Sequence, residues 1–205
     1  MRHGEADTHR YYGRLIHADP PASVLVRENV GLVAAKRLVS AFLVTGLTAC
    51  GASTFDRDNL AAQGMINERA PVKTRVQIII QAPAARIWGL LTNIKGWATW
   101  QPDISEVAIQ AAPAVTVPFT WSTGGMRIHS TIRLFDPDRA VGWTGRAFHI
   151  HAIHVWALSP LPDGRVLVET RESMDGWLVD RFYSSRELQD SDRRWLERLK
   201  KAAES

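Results

Sequence analysis

The chain has one cysteine, Cys50, among 205 residues, which excludes an internal disulfide. It does not set the redox compartment, because exported proteins need no disulfides. An excess of one charge is also missing. The 25 Lys and Arg against 21 Asp and Glu leave +4, split as +2 on either side of Cys50. No basic stripe results, so nucleic acid is not an expected partner. The most apolar run, 38–49, has 12 residues, where a bilayer span needs about 20. There is no Gly-x-Ser-x-Gly nucleophile motif and no internal repeat. Gly124-Gly125 reads as a tight turn, without the lysine and strand-to-helix context of a phosphate loop. What is present is an ordinary globular composition, 45% hydrophobic and 22% charged. It excludes collagen-like, wholly disordered and disulfide-scaffold proteins. Eight tryptophans are many for this length, and all lie in the last two thirds.

The N-terminal third divides by composition. Residues 1–29 are polar and aperiodic, with Asp19-Pro20-Pro21 in the middle, and read as a disordered leader. Residues 30–49 read as a signal peptide: Lys36 and Arg37, then the apolar run, then small residues before a boundary. That boundary, Leu47-Thr48-Ala49-Cys50 before Gly51-Ala52-Ser53, resembles a bacterial lipobox. The resemblance implies cleavage before Cys50 and diacylglycerol on its sulfur, so Cys50 is expected to be a lipidation site and not a catalytic thiol. Two acyl chains suffice for stable attachment. The protein is then exported and anchored to a bacterial membrane, facing the periplasm or exterior; it is cytoplasmic if the signal is not used. The signal begins some 30 residues in, so an initiation codon near Val30 is expected. The competing reading is a buried helix over Leu32–Ala49. Residues 50–70 are small and polar and are expected to form a tether.

Residues 71–205 carry the folded domain. Val76–Ile80 is β-rich and reads as the first strand. Ala82-Pro83-Ala84-Ala85 opens a helix, with proline tolerated in the first turn. A second short helix or turn spans Asn93–Trp100. Six strand signals follow: Ile104–Gln110, Val117–Ser122, Met126–Phe135, Ala140–Arg146, Phe148–Leu158 and Val166–Met174. Turn chemistry at Thr123-Gly124-Gly125, Asp136-Pro137-Asp138 and Pro162-Asp163-Gly164 separates several of them. Leu178, Phe182, Leu188, Leu196 and Leu199 recur at helical spacing with Trp195 beside them. The fold class is α+β.

The pattern Ile80-x-Ala82-Pro83-Ala84-x-x-Ile87-Trp88-x-x-Leu91-Thr92-x-Ile94-x-x-Trp97-x-x-Trp100-x-Pro102-x-Ile104 resembles the polyketide cyclase/dehydrase branch of the START-like (SRPBCC) superfamily. So do His154-Val155-Trp156, the Asp163-Gly164 turn and Thr170-Arg171-Glu172-Ser173-x-x-Gly176. The resemblance covers roughly residues 72–203. It implies a helix-grip fold, a curved antiparallel sheet of six to seven strands around a long C-terminal helix, with two short helices after the first strand. It also implies an apolar cavity for a lipid, quinone, polyketide or similar hydrophobic molecule.

Strand alternation suggests what faces inward. Val166, Val168, Thr170, Glu172 and Met174 form the more apolar face of the last strand. Ile128, Ser130, Ile132 and Leu134 share a face. In 148–158 the period is less decisive: Phe148, Ile150, Ala152, His154, Trp156 and Leu158 oppose His149, His151, Ile153, Val155 and Ala157. With the last hairpin centred near Asp163, His154 sits opposite Glu172 and Trp156 opposite Thr170. The pair is either a structural cross-strand contact or a polar spot that orients ligand or moves a proton, with His154 and Glu172 as the catalytic candidates. A carboxylate beside the imidazole is expected to raise its pKa. The remaining expected cavity residues are Trp97, Trp100, Trp121 and Trp143; for each of these, and for Trp156, plain core packing is the competing reading. His149 and His151 share a strand face, but His154 faces the other way and no carboxylate or cysteine stands at ligand spacing, so no metal is expected. No cofactor is expected either, and no feature specifies an oligomeric state.

The first reading is therefore a membrane-anchored domain that binds a hydrophobic small molecule. Its rivals are a polyketide cyclase or aromatase-like enzyme using His154 and Glu172 as an acid–base pair, and a ligand-free interaction domain of the cell envelope.

Overall fold

The computed structural model describes residues 49–205, with side chains from Asp56 onward. The expected leader, and the signal-like run as far as residue 48, lie outside the described residues. Elements follow in the order α1 (Ala49–Ala62), β1 (Val72–Ile80), α2 (Ala84–Thr92), a 3-10 turn (Ile94–Thr99), β2 (Ile104–Ile109), β3 (Pro118–Thr123) and β4 (Met126–Asp136). Then come β5 (Ala140–Ala147), β6 (Ile150–Pro160), β7 (Val166–Gly176), α3 (Val179–Phe182) and α4 (Ser185–Glu204). One seven-stranded antiparallel sheet has the order β1-β7-β6-β5-β4-β3-β2. Among the described residues no helix is long and apolar enough to cross a membrane.

Helix α4 lies against β1 and α2 and fills the concave side of the curved sheet. Its N-terminus is fixed by a capping box. Ser184 Oγ accepts from the Glu187 amide at 3.2 Å, and Glu187 Oε2 accepts from the Ser184 amide at 2.8 Å. Leu188, Asp192, Trp195, Leu196, Leu199 and Ala203 form its buried stripe. The C-terminal helical pattern is thus interrupted: Tyr183 is extended between α3 and α4, and Leu178 and Phe182 are exposed instead of continuing the stripe. Gly176 ends β7 just ahead of this segment. Its φ is 138°, and a Cβ there would sit 2.0 Å from the His149 carbonyl oxygen. Only glycine lets β7 pass the β5–β6 turn at this distance.

The core between sheet and helix is largely indole. Trp97 is fully buried, and its ring lies 5.4 Å from Trp143, 5.5 Å from Trp195, 5.6 Å from Phe119 and 6.0 Å from Trp121, by centroid. Its indole N–H donates to the Leu91 carbonyl at 2.9 Å, so the polar atom is satisfied.

The segment expected to be a tether differs. Residues Ala49–Ala62 are helical, and from Arg57 onward they lie on the outer face of the sheet. Arg57 Nε donates to Asp175 Oδ1 at 3.0 Å, and Asp58 Oδ2 lies 2.6 Å from Arg133 Nη2. Ala61 and Ile66 cover Ile153 and Val155, which are 1% and 0% exposed. This cover explains the weak alternation of β6. Both of its faces are buried, so hydrophobicity does not distinguish them. Leu134 also belongs to this outer cluster, contrary to its expected inward face, because the β4–β5 register shifts between Ile132 and Leu134. Beyond that bulge Phe135 turns inward and meets Trp88 at 4.9 Å.

Candidate functional site

The β6–β7 hairpin places the site. Its register pairs His154 with Glu172 and Trp156 with Thr170. His154 and Glu172 face the concave side, opposite Asp192 on α4. His154 Nδ1 lies 3.4 Å from Glu172 Oε2, and His154 Nε2 lies 2.7 Å from Thr170 Oγ1. One ligand-type atom from each of His154, Glu172 and Asp192 falls within 4.8 Å of the others. Indoles flank the imidazole, Trp156 stacked at 5.2 Å and Trp143 tilted against it at 4.9 Å. Asp192 is 1% exposed, and its Oδ2 has no N–H or hydroxyl donor among the described residues.

Burial dominates the electrostatics. It drives the His154 pKa down to about 3, so the imidazole is neutral at physiological pH. This reverses the expectation that a neighbouring carboxylate raises it. Burial also raises Glu172 to about 7, in spite of hydrogen bonding with Asp192 that acts the other way. Asp192 is pushed well above the carboxylate range, first by burial and then by the charge and hydrogen bonding of Glu172. Carboxyl groups that resist ionising offer His154 little stabilising charge.

These three residues close one end of a cavity of about 80 Å³. Its apolar walls include Trp121, Met126, Ile128, Trp143, Ile150, Met174, Leu188 and Trp195. It extends to the end of the sheet that carries the β3–β4 and β5–β6 turns, where Thr123, Arg146, Ala147 and Tyr183 line it. That volume holds roughly half a dozen waters or a comparably small organic group.

Of the expected cavity residues, Trp121, Ile128, Ser130, Trp143, His154 and Glu172 line it. Trp97, Trp100, Ile132, Trp156 and Thr170 do not. Trp97, Trp156 and Ile132 are fully buried in the indole core beyond the closed end, Trp100 packs on Trp195, and Thr170 supports His154 through its hydroxyl. The sequence reading missed Asp192. Its signal was position: an acidic residue at Leu188 + 4 and Trp195 − 3, inside the apolar stripe of an otherwise amphipathic helix. His149 and His151 project away from the cavity, and neither lines it.

The family model for polyketide cyclase / dehydrase and lipid transport matches residues 71–204. The chain belongs to this family. No curated protein matches it. Solved structures share the fold at low identity. A hypothetical protein from Helicobacter pylori has a TM-score of 0.61 at 15% identity, covering 66% of this chain and 90% of that one. A START superfamily protein from Mycobacterium smegmatis gives 0.51 at 15% identity, covering 64% and 94%. A protein from the dynemicin biosynthetic locus gives 0.51 at 14% identity, covering 63% and 46%. The helix-grip START-like architecture of this family member is thereby shown, with hydrophobic ligand binding or a cyclase-like role as the functions it suggests.

Proposed function

We propose that the domain binds a small hydrophobic molecule with one polar end. The carrying observation is the cavity's asymmetry: indole, aliphatic and thioether walls along its length, and the His154–Glu172–Asp192 group at its closed end. Apolar walls supply affinity, and the few convergent polar atoms set orientation. The tryptophan core already occupies much of the space between sheet and helix. The ligand is therefore ring-sized, or a longer molecule that inserts only its head. Tryptophan fluorescence with a panel of lipids, quinones and aromatic polyketides tests this. Saturable quenching that Ala152→Leu weakens supports the reading.

One observation favours a second role at the same site. Glu172 ionises near pH 7, so its carboxyl both accepts and donates a proton close to neutrality, beside an imidazole that stays neutral. On the cyclase-like reading Glu172 moves a proton during ring closure or dehydration, with the neutral His154 positioned against it. Glu172→Gln then keeps binding and abolishes turnover.

For location, we propose attachment through a lipid on Cys50. Support comes from the lipobox-like residues and from the course of α1. Moving from Ala61 back to Arg57, its partners run from Val155 and Ile153 to Asp175, toward the cavity end that carries the turns. Phe148, Trp177, Leu178 and Phe182 are exposed at that end. Seven residues of helix rise only about 10 Å. An anchor at Cys50 therefore holds this apolar fringe close to the bilayer. Intact mass of protein from its own host, with Cys50→Ala as control, checks the acylation.

A further inference from the structure

The three polar side chains at the closed end have a geometry that ligand binding does not require. We propose that His154, Glu172 and Asp192 form a three-ligand site for a divalent transition-metal cation, with one coordination position open to the cavity. This goes beyond the ligand-binding reading and stands without it, since only these three side chains are needed.

Separation is the first argument. His154 Nδ1 and Glu172 Oε2 are 3.4 Å apart, and one ligand-type atom from each of the three residues lies within 4.8 Å of the others. Two ligands each about 2.1 Å from a tetrahedral ion are themselves about 3.4 Å apart. The imidazole is the second. Its Nε2 lies 2.7 Å from Thr170 Oγ1. With the proton on Nε2 donated to that hydroxyl, the Nδ1 lone pair points at the carboxyl groups. Metal-bound histidines are held in this way by an outer partner.

Asp192 supplies an independent observation. Its side chain is buried and lines the cavity; the Glu172 carboxyl is its hydrogen-bonding neighbour, and its Oδ2 has no N–H or hydroxyl donor among the described residues. A buried polar oxygen left unsatisfied is costly, and a cation satisfies it directly. Neither Glu172 nor Asp192 has a Lys or Arg partner among the salt bridges of the described residues. Two carboxylates and a 2+ ion sum to zero, so the loaded site buries no net charge. One nitrogen and two oxygens, without sulfur, suit Zn2+, Fe2+, Mn2+ or Co2+ and not a soft ion. The open side faces the cavity, where a water or a ligand oxygen completes the coordination.

Co2+ alone is the probe. Chelator-treated full-length protein is titrated with Co2+ and followed by its visible d–d bands and by direct calorimetry. The proposal expects one Co2+ per chain, displaced by Zn2+, with the same stoichiometry in a His149→Ala/His151→Ala variant. Asp192→Asn, folded by circular dichroism, loses more than about 100-fold in affinity, and Thr170→Val loses about 10- to 100-fold. If Asp192→Asn does not fold, Thr170→Val decides on its own. The proposal is overturned if wild type binds no Co2+, if Thr170→Val or folded Asp192→Asn binds as tightly as wild type, or if binding disappears with His149 and His151. Ligand quenching measured without metal reports the cavity reading separately.

Discussion

His154 and Glu172 stand directly opposite each other on β6 and β7, Nδ1 to Oε2 at 3.4 Å, yet they do not form an ordinary ion pair. Burial holds the imidazole neutral and the carboxyl group partly protonated at neutral pH. The contact is between groups whose charged forms the protein resists, and such perturbed groups cluster at functional sites.

A pH profile of stability follows for metal-free protein. The His154 pKa is depressed to about 3 from 6.5, so its contribution falls as pH drops from about 6.5 toward 3. The Glu172 pKa is raised to about 7 from 4.5, so its contribution is full below about 4.5 and is lost as pH rises through 7. The latter amounts to about 3 kcal/mol when complete. Asp192, whose pKa burial and Glu172 also raise, acts in the same sense as Glu172, so the carboxyl pair favours folding at acidic pH and loses that contribution as pH rises through neutrality. Urea unfolding at pH 5.5 and 8.5 should show a smaller difference for Glu172→Gln than for wild type.

The indole core predicts a large truncation cost. Trp97→Ala removes a fully buried ring in contact with Phe119, Trp121, Trp143 and Trp195. A loss of about 3–5 kcal/mol in urea unfolding is expected. Trp177→Ala removes an exposed ring and should change stability by less than about 0.5 kcal/mol.

Helix α1 behaves as part of the domain. A chain starting at Pro71 uncovers Ile153 and Val155, each worth roughly 1.5–3 kcal/mol on burial. Its melting temperature should fall by several degrees relative to a chain starting at Ala49. Equal melting temperatures would return residues 50–70 to a tether.

Gly176→Ala meets both a carbonyl at 2.0 Å and a strained φ of 138°. A loss of at least about 2 kcal/mol is expected, with altered packing at the open end of the cavity.

Much of this was legible because its causes are local. Asp163-Gly164 centres the last hairpin, and hairpin geometry then sets every β6–β7 pair, His154 with Glu172 included. Strand alternation identified Ile128, Ser130 and Glu172 as inward. Where the reading failed, the cause was long-range. Leu134 changed face at a bulge that no turn residue announces. The polar, small-residue sequence of α1 shows no apolar stripe, because ion pairs of Arg57 and Asp58 help seat it. Trp97 and Trp156, expected in the cavity, lie in the core, because aromatic content does not distinguish a lined space from a filled one. Asp192 was visible as a charge in an apolar stripe, but its meaning depends on α4 crossing β7 beside Glu172, 20 residues earlier in the chain.

The central claim is that the cavity holds a small hydrophobic molecule with its polar end at His154, Glu172 and Asp192. Native mass spectrometry of protein purified from its own host, with organic extraction of what it carries, tests it most directly. The account predicts a small organic molecule bound one per chain in wild type and depleted in Ala152→Leu, which fills the cavity. An unliganded wild type, or a molecule retained equally by Ala152→Leu, would contradict it.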